Sequence, residues 1–205
     1  MIRINAVIML LAAMLFFSPA IMAESEHSAK TADKQAAMEE YMKLAGPGEE
    51  HDMLAELEGR WKMSGMYWLM PGTEPVSFTG SAFNEMTLGG RFLQMTSESG
   101  EGEMYTETLG LLGFDRRHRK FTYIGLDTWG TYYITASGEY DDSTKTITMY
   151  GEDVDPVAGF TQKYDQIMRI IDGDKFVFEV IFYNKELTDG ADSFKMVEIT
   201  YTRVK

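Results

Sequence analysis

The chain has 205 residues and a formal net charge of −13 at pH 7. A negative field of this size repels phosphate backbones and anionic lipid headgroups, so the composition argues against nucleic-acid binding. The chain contains no cysteine, which excludes disulfides and a lipid-modified cysteine, and stability must therefore come from packing of the core.

The N-terminus has the pattern of a secretory signal peptide over residues 1–23. Arg3 precedes an uninterrupted apolar run over 6–17, and small residues predict cleavage after Ala23, with Ala20 as the alternative. The apolar run is shorter than the roughly 20 residues that a membrane-spanning helix needs, although an uncleaved anchor is a second interpretation. The sequence therefore predicts export to the periplasm or secretion, with no stable membrane insertion after cleavage.

One or two short helices are predicted after the signal peptide. Residues 24–33 are polar and predict a disordered leader. Apolar residues recur at helical spacing over 34–45 and are followed by Gly-Pro-Gly, which predicts a short amphipathic helix. A second helical turn over 51–58 places Leu54 and Leu57 on one side.

From residue 60 onward the pattern is typical of an all-β domain, because short runs rich in aromatic residues alternate with turn residues. About ten strands are predicted, over 60–70, 76–86, 91–99, 104–114, 120–128, 131–140, 144–151, 160–171, 175–183 and 193–204. Asp172-Gly173 is the strongest hairpin signal among the turns. Since the connections are short and no long helix interrupts the strands, we predict a closed, up-and-down antiparallel barrel within a single domain, 34–205. A two-sheet sandwich is the alternative.

The faces of the predicted strands also indicate a hollow interior. In the strand at 160–171, one face carries Gln162, Tyr164, Gln166, Met168 and Ile170. A mixture of polar and apolar residues is expected of a partly wet cavity, since a fully packed core would be more uniformly apolar.

Five motifs occur in a fixed order: 51–61, which contains Gly59-Arg60-Trp61, then 71–72, 88–92, 110–115 and 198–203. Together they resemble the bacterial domain-of-unknown-function family 1579, from about residue 34 to the end of the chain. The resemblance implies a calycin-like barrel, similar to lipocalins and fatty-acid-binding proteins, and it implies no activity. Two departures are Phe114, where the family usually has Tyr, and the strongly basic turn at 116–120.

The candidate ligand contacts are His51, Trp61, Arg91, Tyr123, Asp127, Trp129, Tyr133, Glu179 and Glu198. Trp61 is interpreted as a plug at one end of the barrel, with Arg203 stacked on its ring, or else as a ligand contact. Arg91, if it points inward, needs a carboxylate partner. Glu179, Glu198 or a ligand carboxylate would supply it.

An aromatic cluster is predicted around the reversal at 128–130. It comprises Tyr123, Asp127, Trp129, Tyr132 and Tyr133. The cluster suits the mouth of a cavity and equally suits cross-strand pairs that only stabilise the sheet. Asp127 lies among aromatic residues, where a shifted carboxyl pKa is expected. His51 is expected either to face the barrel mouth or to be a simple helix-end residue.

No metal site is predicted, because a zinc site needs three or four converging ligands and the histidines lie in separate segments. Whether the protein holds a cofactor is unknown from the sequence. Three functions remain open. The first is binding of a small apolar or amphipathic molecule, including one with a carboxylate. The second is an enzyme that uses Asp127, Glu179, Glu198 or His51 as acid or base. The third is a filled barrel that contacts a protein partner. The sequence does not give the ligand or the oligomeric state.

Overall fold

The computed structural model of the protein describes residues 19–157, 159–186, 188 and 190–205, with side chains at these positions except 19–30, 32 and 155. Most of the predicted signal peptide, up to residue 18, lies outside the described residues. The chain divides into two compact units between Lys43 and Leu44.

The first helix, α1, runs from Pro19 to Ala45. It begins before the helix predicted over 34–45 and includes residues 24–33, for which the sequence predicts a disordered leader. The difference has a physical reason, since alanine, glutamate and lysine recur in this stretch and favour helix intrinsically. Extending an existing helix also costs less than nucleating one. None of the described helices is both long enough and apolar enough to cross a membrane.

The second unit contains a short helix, α2 (Glu49–Ala55), followed by ten strands in the described part of the chain. The strands are β1 (Gly59–Tyr67), β2 (Val76–Thr87), β3 (Phe92–Ser99), β4 (Thr106–Asp115), β5 (Lys120–Asp127), β6 (Ile134–Asp141), β7 (Thr146–Asp155), β8 (Phe160–Asp172), β9 (Lys175–Phe182) and β10 (Phe194–Arg203). Each strand pairs antiparallel with the next, and β1 pairs with β10, so the sheet closes on itself. The predicted closed, up-and-down barrel is confirmed, and it is consistent with a calycin-like fold.

Side chains alternate between the inside and the outside of the barrel, as the pleat of a strand requires. In β1, Trp61 and Met63 are buried, whereas Lys62 and Ser64 are exposed. Two inner glycines make room for aromatic rings of the neighbouring strand. A Cβ atom on Gly65 would lie 2.3 Å from the Cζ atom of Phe78, its cross-strand partner. Gly151 lies in the same way under the ring of Tyr164.

One end of the barrel is closed by α2, which packs against β2, β3 and β4. In an up-and-down barrel the turns alternate between the two ends, so the β2–β3, β4–β5, β6–β7 and β8–β9 turns lie at the α2 end. Inner side chains near this end are fully buried, among them Leu54, Leu57, Leu93, Leu112, Phe121, Ile147 and Phe176. Inner side chains toward the opposite end, among them Phe78, Ile134, Phe182 and Val197, are only partly buried. We call this opposite end the mouth.

Candidate functional site

Trp61 closes the α2 end of the barrel. Its side chain is 0 % exposed, and its Nε1 atom donates a hydrogen bond to the Leu57 carbonyl at 3.1 Å. The guanidinium carbon of Arg203 lies 4.2 Å from the centroid of the Trp61 ring. Arg203 also donates to the backbone carbonyls of Glu56 and Glu58. The predicted plug with a stacked arginine is therefore confirmed.

His51 also lies at the closed end, because α2 carries it, so it does not face the mouth. It is buried, and its Nδ1 atom accepts a hydrogen bond from the backbone N–H of Gly48 at 3.1 Å. The ring stands edge-on to Phe114. Burial is the main reason why the pKa of His51 is lowered, and the charge of Arg116 lowers it further, while Glu50 and Asp52 act in the opposite direction. His51 is therefore neutral, and it caps the N-terminus of α2.

Arg91 lies in the β2–β3 turn at the closed end and is exposed. Gly89 and Gly90 have positive φ values of 67° and 78°, a conformation that suits glycine, and the side chain folds back over this turn. Its Nε atom donates to the Ala45 carbonyl at 3.0 Å, and its Nη1 atom donates to Leu88 at 3.1 Å. The structure therefore places Arg91 outside the barrel interior, and none of the described carboxylates forms the ion pair with it that the sequence led us to expect.

The basic turn at 116–120, unexpected for the family, has a similar role at the same end. Arg116 in the β4–β5 turn donates to the carbonyls of Gly46 and Pro47 at 3.1 and 3.4 Å. Together with Arg91 it tethers the segment that leads into α2. Asp115 binds Arg117 and His118 on the other side of the turn, and these hydrogen bonds hold its carboxyl pKa far below the usual range.

Glu179 and Glu198 face outward, because the alternation in β9 puts Phe176 and Phe178 inside. They are cross-strand neighbours on β9 and β10. Lys195 binds both carboxylates, and its Nζ atom is 2.6 Å from Glu198 Oε2. Arg169 Nη2 lies 3.5 Å from Glu179 Oε2. We call these four residues the outer ionic cluster. It lies on the outer surface of the barrel, so neither glutamate contacts the interior.

The predicted aromatic cluster is divided between the interior and the mouth. Tyr123 points inward, whereas Trp129, Tyr132 and Tyr133 are 60 %, 65 % and 64 % exposed. The latter three lie in the β5–β6 connection, at the mouth. Asp127 accepts a hydrogen bond from the backbone N–H of Trp129 at 2.8 Å. The Nε1 atom of Trp129 donates to Thr106 at 2.6 Å. Asp127 is thus a turn-forming residue at the mouth.

Three of the connections at the mouth, β1–β2, β3–β4 and β5–β6, carry exposed apolar side chains. They are Leu69, Met70, Met104, Tyr105, Trp129, Tyr132 and Tyr133, which we call the mouth rim. Exposed apolar side chains at the opening of a barrel are available for contact with a ligand. The mouth rim therefore offers apolar contacts to a molecule that enters the barrel.

A small cavity lies inside the barrel. Its volume is about 30 Å³, and it is lined by Ala82, Asn84, Met95, Thr96, Ser97, Thr108, Tyr123, Met168, Phe178 and Tyr201. None of these lining residues carries a formal charge. Of the residues that the sequence analysis proposed as ligand contacts, only Tyr123 lines the cavity.

Asn84 is the polar side chain that the sequence analysis missed. It is 1 % exposed, and its Nδ2 atom donates to the Leu57 carbonyl at 3.1 Å. Its Oδ1 atom has no hydrogen-bond partner among the described residues. The Oε1 atom of Gln166, on the inner face of β8, is also buried and also has no hydrogen-bond partner among the described residues. An unpaired buried carbonyl oxygen costs free energy, so each of these atoms is a natural acceptor for a bound donor.

The hydroxyl groups in the cavity are all neutral. Ser97 Oγ and Thr108 Oγ1 are hydrogen-bonded to each other at 2.6 Å. Burial raises the pKa of Tyr123 to about 12, and the charge of Asp127 adds to the shift. Burial also raises the pKa of Tyr201, with a further contribution from Tyr123. Both phenols therefore stay protonated at neutral pH and keep a proton to donate.

A larger hollow of about 360 Å³ lies on the β6–β7 part of the barrel wall. Its lining includes Glu139, Asp141, Thr148 and Tyr150, which are exposed side chains of these two strands. The hollow is broadly open to solvent and contains no unpartnered buried atom among the described residues. The interior cavity is for this reason the stronger candidate site. No group of three or more described His, Asp or Glu side chains is placed to hold a metal ion.

Comparison with known proteins agrees with the fold. A family model described as a protein of unknown function (DUF1579) matches residues 46–203. No curated protein sequence matches the chain significantly. The crystal structure of Rv2717c from M. tuberculosis is similar, with a TM-score of 0.57 and 16 % sequence identity, over 78 % of this chain and 100 % of that one. At this identity the similarity supports the fold alone.

Proposed function

The chain belongs to the DUF1579 family of proteins of unknown function, and from that premise we propose that it binds a small amphipathic molecule through the mouth of its barrel. The observation that carries the proposal is Asn84, which lines the cavity and whose Oδ1 atom is buried without a hydrogen-bond partner among the described residues. Native proteins rarely leave such an atom unpaired unless the site has a use for it.

The size of the cavity determines how the ligand lies. Pockets for whole small molecules usually measure about 300–1,000 Å³, whereas this cavity measures about 30 Å³. The cavity therefore accepts only one polar end of the ligand. The apolar body then lies nearer the mouth, against the partly buried inner side chains Phe78, Ile134 and Phe182 and the mouth rim.

The enzyme hypothesis receives less support from the geometry. The acids and bases considered for it, Asp127, Glu179, Glu198 and His51, do not line the cavity. General acid–base chemistry needs such a group within hydrogen-bond reach of the reacting atom. Binding is accordingly the function that we propose.

Titration with the neutral fluorescent probe N-phenyl-1-naphthylamine tests the proposal. Wild-type protein is expected to bind the probe and enhance its fluorescence. Ala82→Leu fills the cavity from β2, because Ala82 is 7 % exposed and lines it, and is expected to weaken binding by about tenfold, equivalent to about 1.4 kcal/mol.

Ser81→Leu is the matched control for this experiment. Ser81 precedes Ala82 in β2 but is exposed on the outer face, so the same substitution leaves the cavity unchanged. Its affinity for the probe should stay within about twofold of wild type, a negligible free energy. Equal affinity of wild type and Ala82→Leu would show that the probe binds elsewhere, as expected of a filled barrel.

We also propose that the protein acts after export, in the periplasm or outside the cell. The support is the apolar run over 6–17 and the small residues up to Ala23. Expression of the full chain in a Gram-negative bacterium should yield a periplasmic protein that begins at Glu24, or at Ile21 after the alternative cleavage, as measured by intact mass. Leu10→Arg should interrupt the apolar run and retain the full-length chain. Full-length wild-type protein in the cytoplasm would contradict export.

A further inference from the structure

We infer that the polar end of the ligand is an uncharged hydroxyl group, which donates a hydrogen bond to Asn84 and accepts one from a tyrosine. This inference depends on the proposed function, because it specifies the chemistry of the same cavity. Three features of the cavity lead to it: the lack of charge in its lining, the fixed acceptor on Asn84 and the protonated phenols.

The lining of the cavity excludes a charged ligand group. All ten lining side chains are formally neutral, and burying an unpaired carboxylate or ammonium group costs far more than burying a hydroxyl. Arg91, which would have bound a carboxylate, lies outside the barrel in the β2–β3 turn. A fatty acid would thus leave its carboxylate without a cation.

The orientation of Asn84 shows that the ligand must donate. Its Nδ2 atom is held by the Leu57 carbonyl at 3.1 Å, and exchanging the two amide atoms would bring two acceptors together. The Oδ1 atom therefore points away from Leu57 and needs a donor. An ether or ester oxygen does not provide one.

The tyrosines supply the complementary group. Tyr123 and Tyr201 both line the cavity, and neither hydroxyl has a hydrogen-bond partner among the described residues. Because both phenols remain protonated, either can donate to a ligand oxygen. A group that both donates and accepts fits better than an ammonium, which only donates. A volume of about 30 Å³ also suits a group the size of a water molecule.

Calorimetric titration with four compounds of matched length tests the inference: octan-1-ol, its isomer 1-methoxyheptane, octylamine and octanoate. The alcohol and the ether have the same atoms, but only the alcohol can donate. We expect octan-1-ol to bind about tenfold more tightly than the ether, the effect of one or two hydrogen bonds. The charged compounds should bind more weakly than the alcohol.

Asn84→Leu supplies the second arm of the experiment. The Leu57 carbonyl keeps its hydrogen bond from Trp61, and an apolar side chain of similar shape removes the unpaired atom, so the variant should fold with unchanged or higher stability. Its preference for octan-1-ol over 1-methoxyheptane should fall below about twofold.

The outcomes separate the two proposals. Equal binding of the alcohol and the ether to wild type, or tightest binding of octanoate or octylamine, would overturn the hydroxyl assignment. The binding function would still stand if Ala82→Leu weakened all four compounds. Failure of all four compounds and of N-phenyl-1-naphthylamine to bind would overturn the function itself. In the wild-type comparison no variant is needed, so a folding defect cannot obscure the result.

Discussion

Replacing Trp61 with alanine is expected to lower the free energy of unfolding by about 3–5 kcal/mol. The ring is fully buried, with its centroid 4.8 Å from that of Phe176 and the Arg203 guanidinium over its face. Truncation leaves a cavity where the segment after α2 meets β1 and β10. It also removes the surface on which Arg203 lies. Urea denaturation followed by far-UV circular dichroism measures the change.

Trp129→Ala is the control for this large-to-small substitution. Trp129 is 60 % exposed in the mouth rim, and its main polar contact is one hydrogen bond to Thr106. Its loss should cost less than about 1 kcal/mol, since exposed substitutions rarely cost more. If the two variants lost similar stability, Trp61 would not be the plug that closes the barrel.

The architecture could be predicted from the sequence because two local signals agree along most of the chain. Alternating residues in strands such as β1 and turn dipeptides such as Asp172-Gly173 specify antiparallel hairpins. The turn between β8 and β9 forms at this dipeptide. Short connections then leave closure as the simplest way to bury the sheet. Such signals are local, so they predict the barrel but not which face of each strand points inward.

Glu179 shows this limit. In β9, Phe176, Phe178, Val180 and Phe182 alternate with Val177, Glu179 and Ile181, so both faces are substantially apolar. Composition alone therefore does not predict which set of side chains lines the interior. The pairing register of β9 with β10 determines it, because Phe176 pairs with Tyr201 and Phe178 with Ile199. Pairing across strands is a tertiary property, and it places Glu179 outside.

Asn84 was missed for a related reason. It shares a face with Ala82 and Met86 in a strand that otherwise alternates normally, so nothing local distinguishes it from an ordinary polar residue. Its significance arises from the Leu57 carbonyl, which lies 27 residues away in the sequence. By contrast, the mixed polar and apolar face of β8 could be recognised from the sequence, and it contains Gln166.

Lys195 illustrates how an irregularity in a strand overrides the pattern. Strict alternation from Tyr201, through Ile199 and Val197, would put Lys195 inside the barrel. A bulge between Lys195 and Val197 instead pairs Lys195 with Ile181 on the outer face. A bulge adds one residue and re-aims the side chains beyond it. The lysine then lies beside the two glutamates that the sequence analysis had proposed for the interior.

Lys195→Met is expected to lower the free energy of unfolding by about 1–3 kcal/mol at pH 7. The Glu179 side chain is only 9 % exposed, and without Lys195 the cation that remains beside it among the described residues is Arg169 at 3.5 Å. Removing one partner of a fully buried pair costs about 3–5 kcal/mol. The loss here is smaller because Lys195 is 37 % exposed, so water screens part of the interaction. Urea denaturation at pH 7 measures it.

The loss of stability caused by Lys195→Met should become smaller as the pH falls. The hydrogen bond from Lys195 is the main reason why the pKa of Glu198 is lowered, although burial opposes the shift. The resulting stabilisation is complete above the unfolded pKa of about 4.3 and is lost as the pH falls through the lower pKa of the folded state. The difference between wild type and Lys195→Met should therefore shrink below about pH 4.

Lys62→Met is the control for Lys195→Met. It removes an ordinary surface charge and leaves the outer ionic cluster intact. Lys62 lies exposed on the outer face of β1 and should change stability by no more than about 0.5 kcal/mol. If Lys62→Met cost as much as Lys195→Met, the outer ionic cluster would contribute nothing specific. If only Lys195→Met is costly, the bulge in β10 has a structural purpose. It keeps a cation out of the barrel interior and gives a nearly buried carboxylate its partner, so the polarity of the interior and the stability of the wall depend on the same irregularity.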